Sequence, residues 1–433
     1  MTLPGLLERR RNPIVNNLAA RIGALVALTV ASLVVAREGG AAEVGAFVLL
    51  RVLPWALGVV LSFGAFGAAP YFLSGPNREE TGYRPTIFWV CILAGIMGAG
   101  IWVVAAPAIH AAFFPNLGTA LVALAGATVL TQLTESVGKA CCQGFDDLRG
   151  SNWVILFEEL LFLPAYGLYL LAGLDRELAM VMALVTGDVG TSLTAWIRVS
   201  RRGYFKNTAR PSLRLARRVC GFGFRAQIGT VVLLLNARLD FAVVGALVGP
   251  AALGIYAIAS RYAELLRLPA LAVNYVLYPA YSREGPVEAA RRAREMMPKA
   301  GWLTAAAALP LAVGATFLLP LLYGEQFKTA IVPTYILLAG LAGGGVSGII
   351  TAYLYADNRP GQNSAALGAG LVVTVALDLL LIPRFGVLGA SVASCCAYWT
   401  ATLVLVLLFR SVAHSRQQAD VIPVRARTAV EVK

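Results

Sequence analysis

Four arginines stand inside stretches otherwise fit for lipid: Arg21, Arg51, Arg238 and Arg261, with Asp240 and Glu264 close by in the chain. A charged side chain at the centre of a bilayer costs about 2.5–3.5 kcal/mol even on insertion-based scales, so such residues must face a wet cavity or a partner helix. Guanidinium is permanently charged and presents a planar fork of donors that meets phosphate oxygens two at a time. The chemistry these arginines fit is capture of a phosphate or diphosphate headgroup, and a cationic ligand would be repelled. At the helical rise, Arg51 and Arg261 lie about 12 and 15 Å into their helices, near mid-membrane, and Glu264 follows Arg261 at i+3 on the same face. Asn17 and Arg21 share a face by i, i+4 spacing. Arg21, Arg225 and Arg267 sit nearer the helix ends, where they can line the cavity or snorkel to the interface.

Glu135, Asp188, Asp240, Glu264 and Asp378 are the acids within the apolar spans, with Glu158 and Glu159 near an interface. Some must neutralise arginines, and an acid left over would bind a proton or sodium ion. Asp240 and Glu264 are the ion-coupling candidates, because they share spans with arginines. Asp188 and Asp378 read as packing partners. Arg238 and Asp240, two residues apart, splay across a helix and need different neighbours.

The elements that position these groups are membrane helices. The 433 residues are 58% hydrophobic and 14% charged, with mean hydropathy +0.72, whereas a soluble domain is about 45–50% apolar and 25% charged. About twelve apolar runs of spanning length lie between residues 14 and 410, so the fold class is an all-α polytopic membrane protein. The net charge of +13 follows from topology, not nucleic-acid binding. Only Arg37, Arg176, Lys328 and Arg384 fall on one face, while eight basic residues from Arg198 to Arg218 and five from Arg283 to Lys299 fall on the other. That second face is cytoplasmic, with both termini inside. The first apolar run, Ile14 to Ala36, exceeds a signal-peptide core and reads as a retained helix.

Two six-helix bundles are expected, 1–198 and 220–410, with a basic cytoplasmic linker at 199–219 and a tail at 411–433 expected to be disordered. An internal repeat supports the division. Gly45-Ala46-Phe47 recurs as Gly254-Ile255-Tyr256, each followed by an arginine, Arg51 and Arg261; Leu148 to Trp153 recurs as Arg359 to Ser364. Parallel halves of this kind put a substrate site at their interface.

Several chemistries are missing. No G-x-x-x-x-G-K-[ST] motif exists, so ATP does not power the chain. The six cysteines form no CxxC pair and His110 and His414 have no ligand-spaced neighbours, so no metal site, catalytic residue or cofactor is expected. Asp146-Asp147 reads as a solvated cytoplasmic loop. Pro54, Pro164, Pro269, Pro310 and Pro333 interrupt spans, where each bends its helix.

The stretch from Asn236 to Ala270, followed by Tyr278 to Arg283, resembles the central signature of polysaccharide flippases of the O-antigen type, within the multidrug/oligosaccharidyl-lipid/polysaccharide (MOP) superfamily. Leu322 to Gly340 and Ala376 to Ser394 are similar to that family's later helices. The resemblance covers about Leu18 to Phe409 and is stronger in the second half. It implies two V-shaped six-helix bundles around a central cationic cavity, alternating access, and coupling to H+ or Na+. The implied cargo is an undecaprenyl-diphosphate-linked oligosaccharide crossing the bacterial inner membrane, with membrane lipids, a polysaccharide polymerase and other assembly proteins as partners. Related lipid II flippases line the cavity with arginines of helices 1, 2 and 8, matched here by Arg21, Arg51 and Arg261. Those relatives carry two further C-terminal helices that this chain lacks, which disfavours a peptidoglycan precursor. The competing readings are a multidrug/cation antiporter of the same superfamily and a membrane glycan polymerase. Basic excess in the spans argues against the first, and the shortness of the outward loops against the second.

Overall fold

The computed structural model describes residues 3–74, 80–268, 277, 281 and 283–421. Pro269 and the tail beyond 421 lie outside the described residues, as do the side chains of Arg225 and of residues 3–15. Every long element is helical. In chain order they are α1 (Leu3–Leu61), α2 (Ala65–Phe72), α3 (Tyr83–Phe113), α4 (Thr119–Leu124), α5 (Ala127–Gly144), α6 (Leu148–Leu160), α7 (Phe162–Leu171), α8 (Arg176–Arg201), α9 (Leu213–Leu247), α10 (Pro250–Glu264), α11 (Pro286–Tyr323), α12 (Ile331–Leu341), α13 (Gly344–Ala356) and α14 (Pro360–Val421).

Among the described residues, eight helical stretches are long and apolar enough to cross a membrane. Two of them, Asn16–Leu61 and Pro360–His414, are each two passes joined where Gly40 and Gly386 leave the helical conformation. With α9 and α10 as the seventh and eighth passes, the order matches the twelve apolar spans. Lipid leaves no water to satisfy exposed backbone, which is why every pass is helical.

The chain divides into two compact units, Met1–Leu234 and Leu235–Lys433, the boundary falling inside α9. Each unit repeats the same backbone punctuation. Gly40 in the first and Gly249 in the second, 209 residues on, both take positive φ (76° and 104°) between consecutive passes. Asp146 and Asn358 (φ 56° and 58°) do the same at the break before α6 and before α14. Bends with positive φ suit glycine, asparagine and aspartate, so the two units share conformation at these joints even where their residues differ.

In the first unit, tight packing comes from small residues. Gly64, at φ 73°, lies against the backbone of Gly223, and a Cβ on either would strike the other's main chain. Close backbone approach of this kind holds helices together where lipid removes the hydrophobic drive. A cluster around Phe72, Tyr83, Cys141 and Tyr204 closes one end of this unit, with the Tyr204 hydroxyl donating to the Arg84 carbonyl at 2.6 Å. The second unit has its own cluster around Tyr281, Ala293, Tyr353 and Phe409.

The loop between α5 and α6 departs from the solvated loop expected for Asp146-Asp147. Asp147 is only 3% exposed. It caps α6 by accepting from the Gly150 N–H at 3.0 Å, and it accepts from Arg198 Nε at 2.6 Å and Nη2 at 3.0 Å. Helix-end donors and a guanidinium together repay its burial. The Arg198 hydrogen bonds, aided by the Gly150 N–H and opposed by burial, hold the Asp147 carboxyl below its ordinary range. A depressed carboxyl adds stability above the unfolded value, near about 3.9, and loses it as pH falls through the lower folded value. Asp147→Asn keeps a capping oxygen but loses the charge, and should cost about 1.5–3 kcal/mol at neutral pH. Denaturation of purified protein followed from neutral to strongly acid pH should show the wild-type advantage vanish in acid. An advantage that persists there would contradict this role.

Candidate functional site

The charged residues of the first unit gather on α1, α5, α6 and α8. Arg51, on the second pass of α1, has Nη1 2.6 Å from Glu159 Oε2, a charge contact not aligned as a hydrogen bond. Its guanidinium also lies 5.5 Å from the Phe47 ring centroid. One residue away on α6, Glu158 accepts from Lys139 Nζ at 2.8 Å, and Lys139 stands 3.9 Å from Glu135. Lys139 and Glu158 reach a cavity of about 470 Å³, also lined by Trp55, Ser136 and Gln143. Arg21 is exposed and donates to Asn17 Oδ1 at 3.0 Å, while Asn17 donates to Asn152 Oδ1 at 2.7 Å. The i, i+4 pair of α1 is thereby tied to α6, and Arg21 and Arg51 take separate partners.

Arg238, Asp240, Arg261 and Glu264 belong to the second unit. Arg238 lies 3.6 Å from Glu264 and over the Phe241 ring at 5.0 Å. Asp240, 5% exposed, accepts from the Tyr256 hydroxyl at 2.5 Å, from the Phe241 N–H at 2.9 Å and from Ser394 Oγ at 3.4 Å. The two residues thus meet different neighbours, as their spacing requires. Arg261, on α10, is half-buried and acts electrostatically on Tyr323. Arg267, the next guanidinium along, stacks 5.3 Å from the Tyr398 ring centroid.

Asp378 differs from the packing role its sequence position suggested. It is fully buried on α14, neither carboxyl oxygen has a hydrogen-bond partner, and Asp240 acts on it electrostatically. An ionised carboxylate in that position is far too costly to remain bare. Asp240, with the Tyr256 and Ser394 hydroxyls on its carboxylate, and the bare Asp378 on which it acts supply oxygens of the kind that suit a proton or a small hard cation. Asp188 also departs from simple packing: its Oδ2 is buried without a hydrogen bond.

Lys139 has no sequence motif to mark it as functional, and Glu158 and Glu159 read from the sequence as interfacial acids. Gln132, Glu135 and Lys139 are spaced i, i+3, i+7, which lays all three on one face of α5. That polar stripe was the available signal.

The fold is one shared with solved membrane transporters, among them members of the MOP superfamily. A lipid II flippase, MurJ, in an inward closed conformation superposes with TM-score 0.77 at 13% identity, covering 92% of this chain and 87% of that one. A multidrug resistance MATE family transporter of the MOP superfamily, inward-facing, superposes with TM-score 0.71 at 15% identity over 93% and 99% of the two chains. Residues 45–332 match the polysaccharide biosynthesis protein family, and the chain belongs to that family. A relative from Haloferax volcanii, described as a probable low-salt glycan biosynthesis flippase, Agl15, is 21% identical over 378 residues, 85% of this chain and 77% of that protein.

Proposed function

We propose that this protein is a flippase of glycan assembly, moving a polyprenyl-diphosphate-linked oligosaccharide from the cytoplasmic to the outer leaflet. In a bacterial cytoplasmic membrane that carrier would be undecaprenyl diphosphate, destined for surface polysaccharide. What supports the reading is the pair of arginines, Arg51 and Arg261, at repeat-related positions within apolar spans of the two units. Arg51 makes one close ion pair, to Glu159, and a diphosphate can outcompete it, since a diphosphate offers more charge and several oxygens in fork geometry. Arg238, paired with Glu264, and Arg21, anchored by Asn17, are the supporting cations. The family membership and the relative's description support the glycan-lipid cargo. A cationic drug is disfavoured by the same arginines.

Ion coupling belongs to the second unit in this reading. Asp240 and Asp378 would load a proton or sodium ion, and Glu264 would release Arg238 when neutralised. Differential loading biases inward against outward states, as any ligand that prefers one state must. The basic segment 199–219 and both termini face the cytoplasm. Export partners are a polysaccharide polymerase and later assembly proteins. Transbilayer movement of the lipid-linked glycan by the reconstituted protein tests the proposal directly.

A further inference from the structure

We propose that the first unit carries its own proton store, a buried cluster that holds two protons, one on Asp188 and one shared between Glu135 and Glu158. Among the described side chains, the charged and amide groups facing it come from four helices. Arg51 comes from α1, Gln132, Glu135 and Lys139 from α5, Glu158 and Glu159 from α6, and Asp188 from α8, while α7 brings no charged residue. Among these described side chains, four carboxyls against two cations leave two uncompensated negative charges. Two protons cancel them.

Geometry places the protons. Glu135 is 2% exposed, and its carboxyl lies within hydrogen-bonding reach of Glu158. Two carboxylates cannot hydrogen-bond one another, whereas a carboxylic acid donates to a carboxylate. At the other end, Asp188 is 9% exposed and sits beside the Gln132 side chain. Asp188 Oδ2 and Gln132 Oε1 are both buried acceptors with no hydrogen-bond partner. A proton on Asp188 supplies a donor that this pair lacks.

Protons fit better than a metal ion. The Arg51 and Lys139 charges stand within the cluster and repel a further fixed cation, and among the described residues no three His, Cys, Asp or Glu side chains are placed to hold one. Access exists through the cavity at Glu158 and Lys139, whose side chains are 36% and 24% exposed. From there Glu135 passes protons inward. Proton occupancy also sets how many acids remain to hold Arg51 and Lys139, which links the store to cation availability in this unit.

The store is independent of cargo, so it is tested on the resting full-length protein without any lipid-linked substrate. Infrared difference spectroscopy in nanodiscs reads the carbonyl stretch of protonated carboxyls. Asp188→Asn and Glu135→Gln should each remove one carboxyl's worth of that absorbance at neutral pH, and Asp240→Asn should leave both bands in place. Raising the pH should abolish the bands, while added sodium chloride at fixed pH should not. If Glu135→Gln does not fold, Glu158→Gln removes the same shared proton from the cavity side. Bands unchanged in the Asp188 and Glu135 or Glu158 variants would overturn the proposal, as would displacement of the bands by sodium. Either failure leaves the flippase reading standing, because no transport is measured.

Discussion

Cells carrying Arg51→Gln or Arg261→Gln should accumulate lipid-linked glycan and display no surface polysaccharide, with the folded protein still present in the membrane. In the proposed function each guanidinium would supply a bidentate, charged contact to the diphosphate. Charged hydrogen bonds contribute about 1.5–3 kcal/mol each in net terms, so losing two costs roughly 10²–10⁴ in binding. Arg51 needs a control, because its removal leaves Glu159 without its ion-pair partner. Breaking a buried pair costs about 3–5 kcal/mol in stability. The double variant Arg51→Gln with Glu159→Gln removes both charges and should regain stability without regaining export. Lysine at either arginine position should restore only part of the activity, since a point charge keeps attraction and loses the fork. Full display from both glutamine variants at normal expression would show that these arginines do not hold the cargo.

In proteoliposomes, Asp240→Asn and Asp378→Asn should flatten the dependence of transport on an imposed pH or sodium gradient. Asp378 has no hydrogen-bond partner for either oxygen, and Asp240 is its charged neighbour. Neutral asparagine mimics the loaded site permanently, so the variants should still bind the lipid while losing the gradient response. Glu264→Gln should instead loosen Arg238 from its 3.6 Å contact and alter affinity more than coupling. Unchanged gradient dependence in both aspartate variants would remove this pocket from the mechanism.

The passes were legible because the lipid solvent enforces helices and long apolar runs, and the repeat was legible in recurring short strings, Gly45-Ala46-Phe47 with Gly254-Ile255-Tyr256, while its shared bends emerged only in the structure. Gly40 and Gly249 mark the same joint in each unit. The intramembrane arginines could be found by charge alone. Their partners could not, because Glu159 and Glu264 are remote in sequence from Arg51 and Arg238 and only packing selects them. Asp147 was misread for the same reason: its environment is made by Arg198, fifty-one residues away. Asp378 and Asp188 looked like packing acids because sequence shows the residue and hides whether a donor reaches it.

The most direct measurement reconstitutes the purified protein with a fluorescent polyprenyl-diphosphate oligosaccharide in the vesicle membrane and follows its loss to a membrane-impermeant quencher or glycosidase. Movement across the bilayer that depends on the protein, responds to an ion gradient and disappears with Arg51→Gln or Arg261→Gln is the predicted result. A polyprenyl monophosphate carrying the same glycan should move far more slowly. Equal movement of the monophosphate and diphosphate lipids, or no protein-dependent movement of either while a cationic drug is transported, would contradict the account.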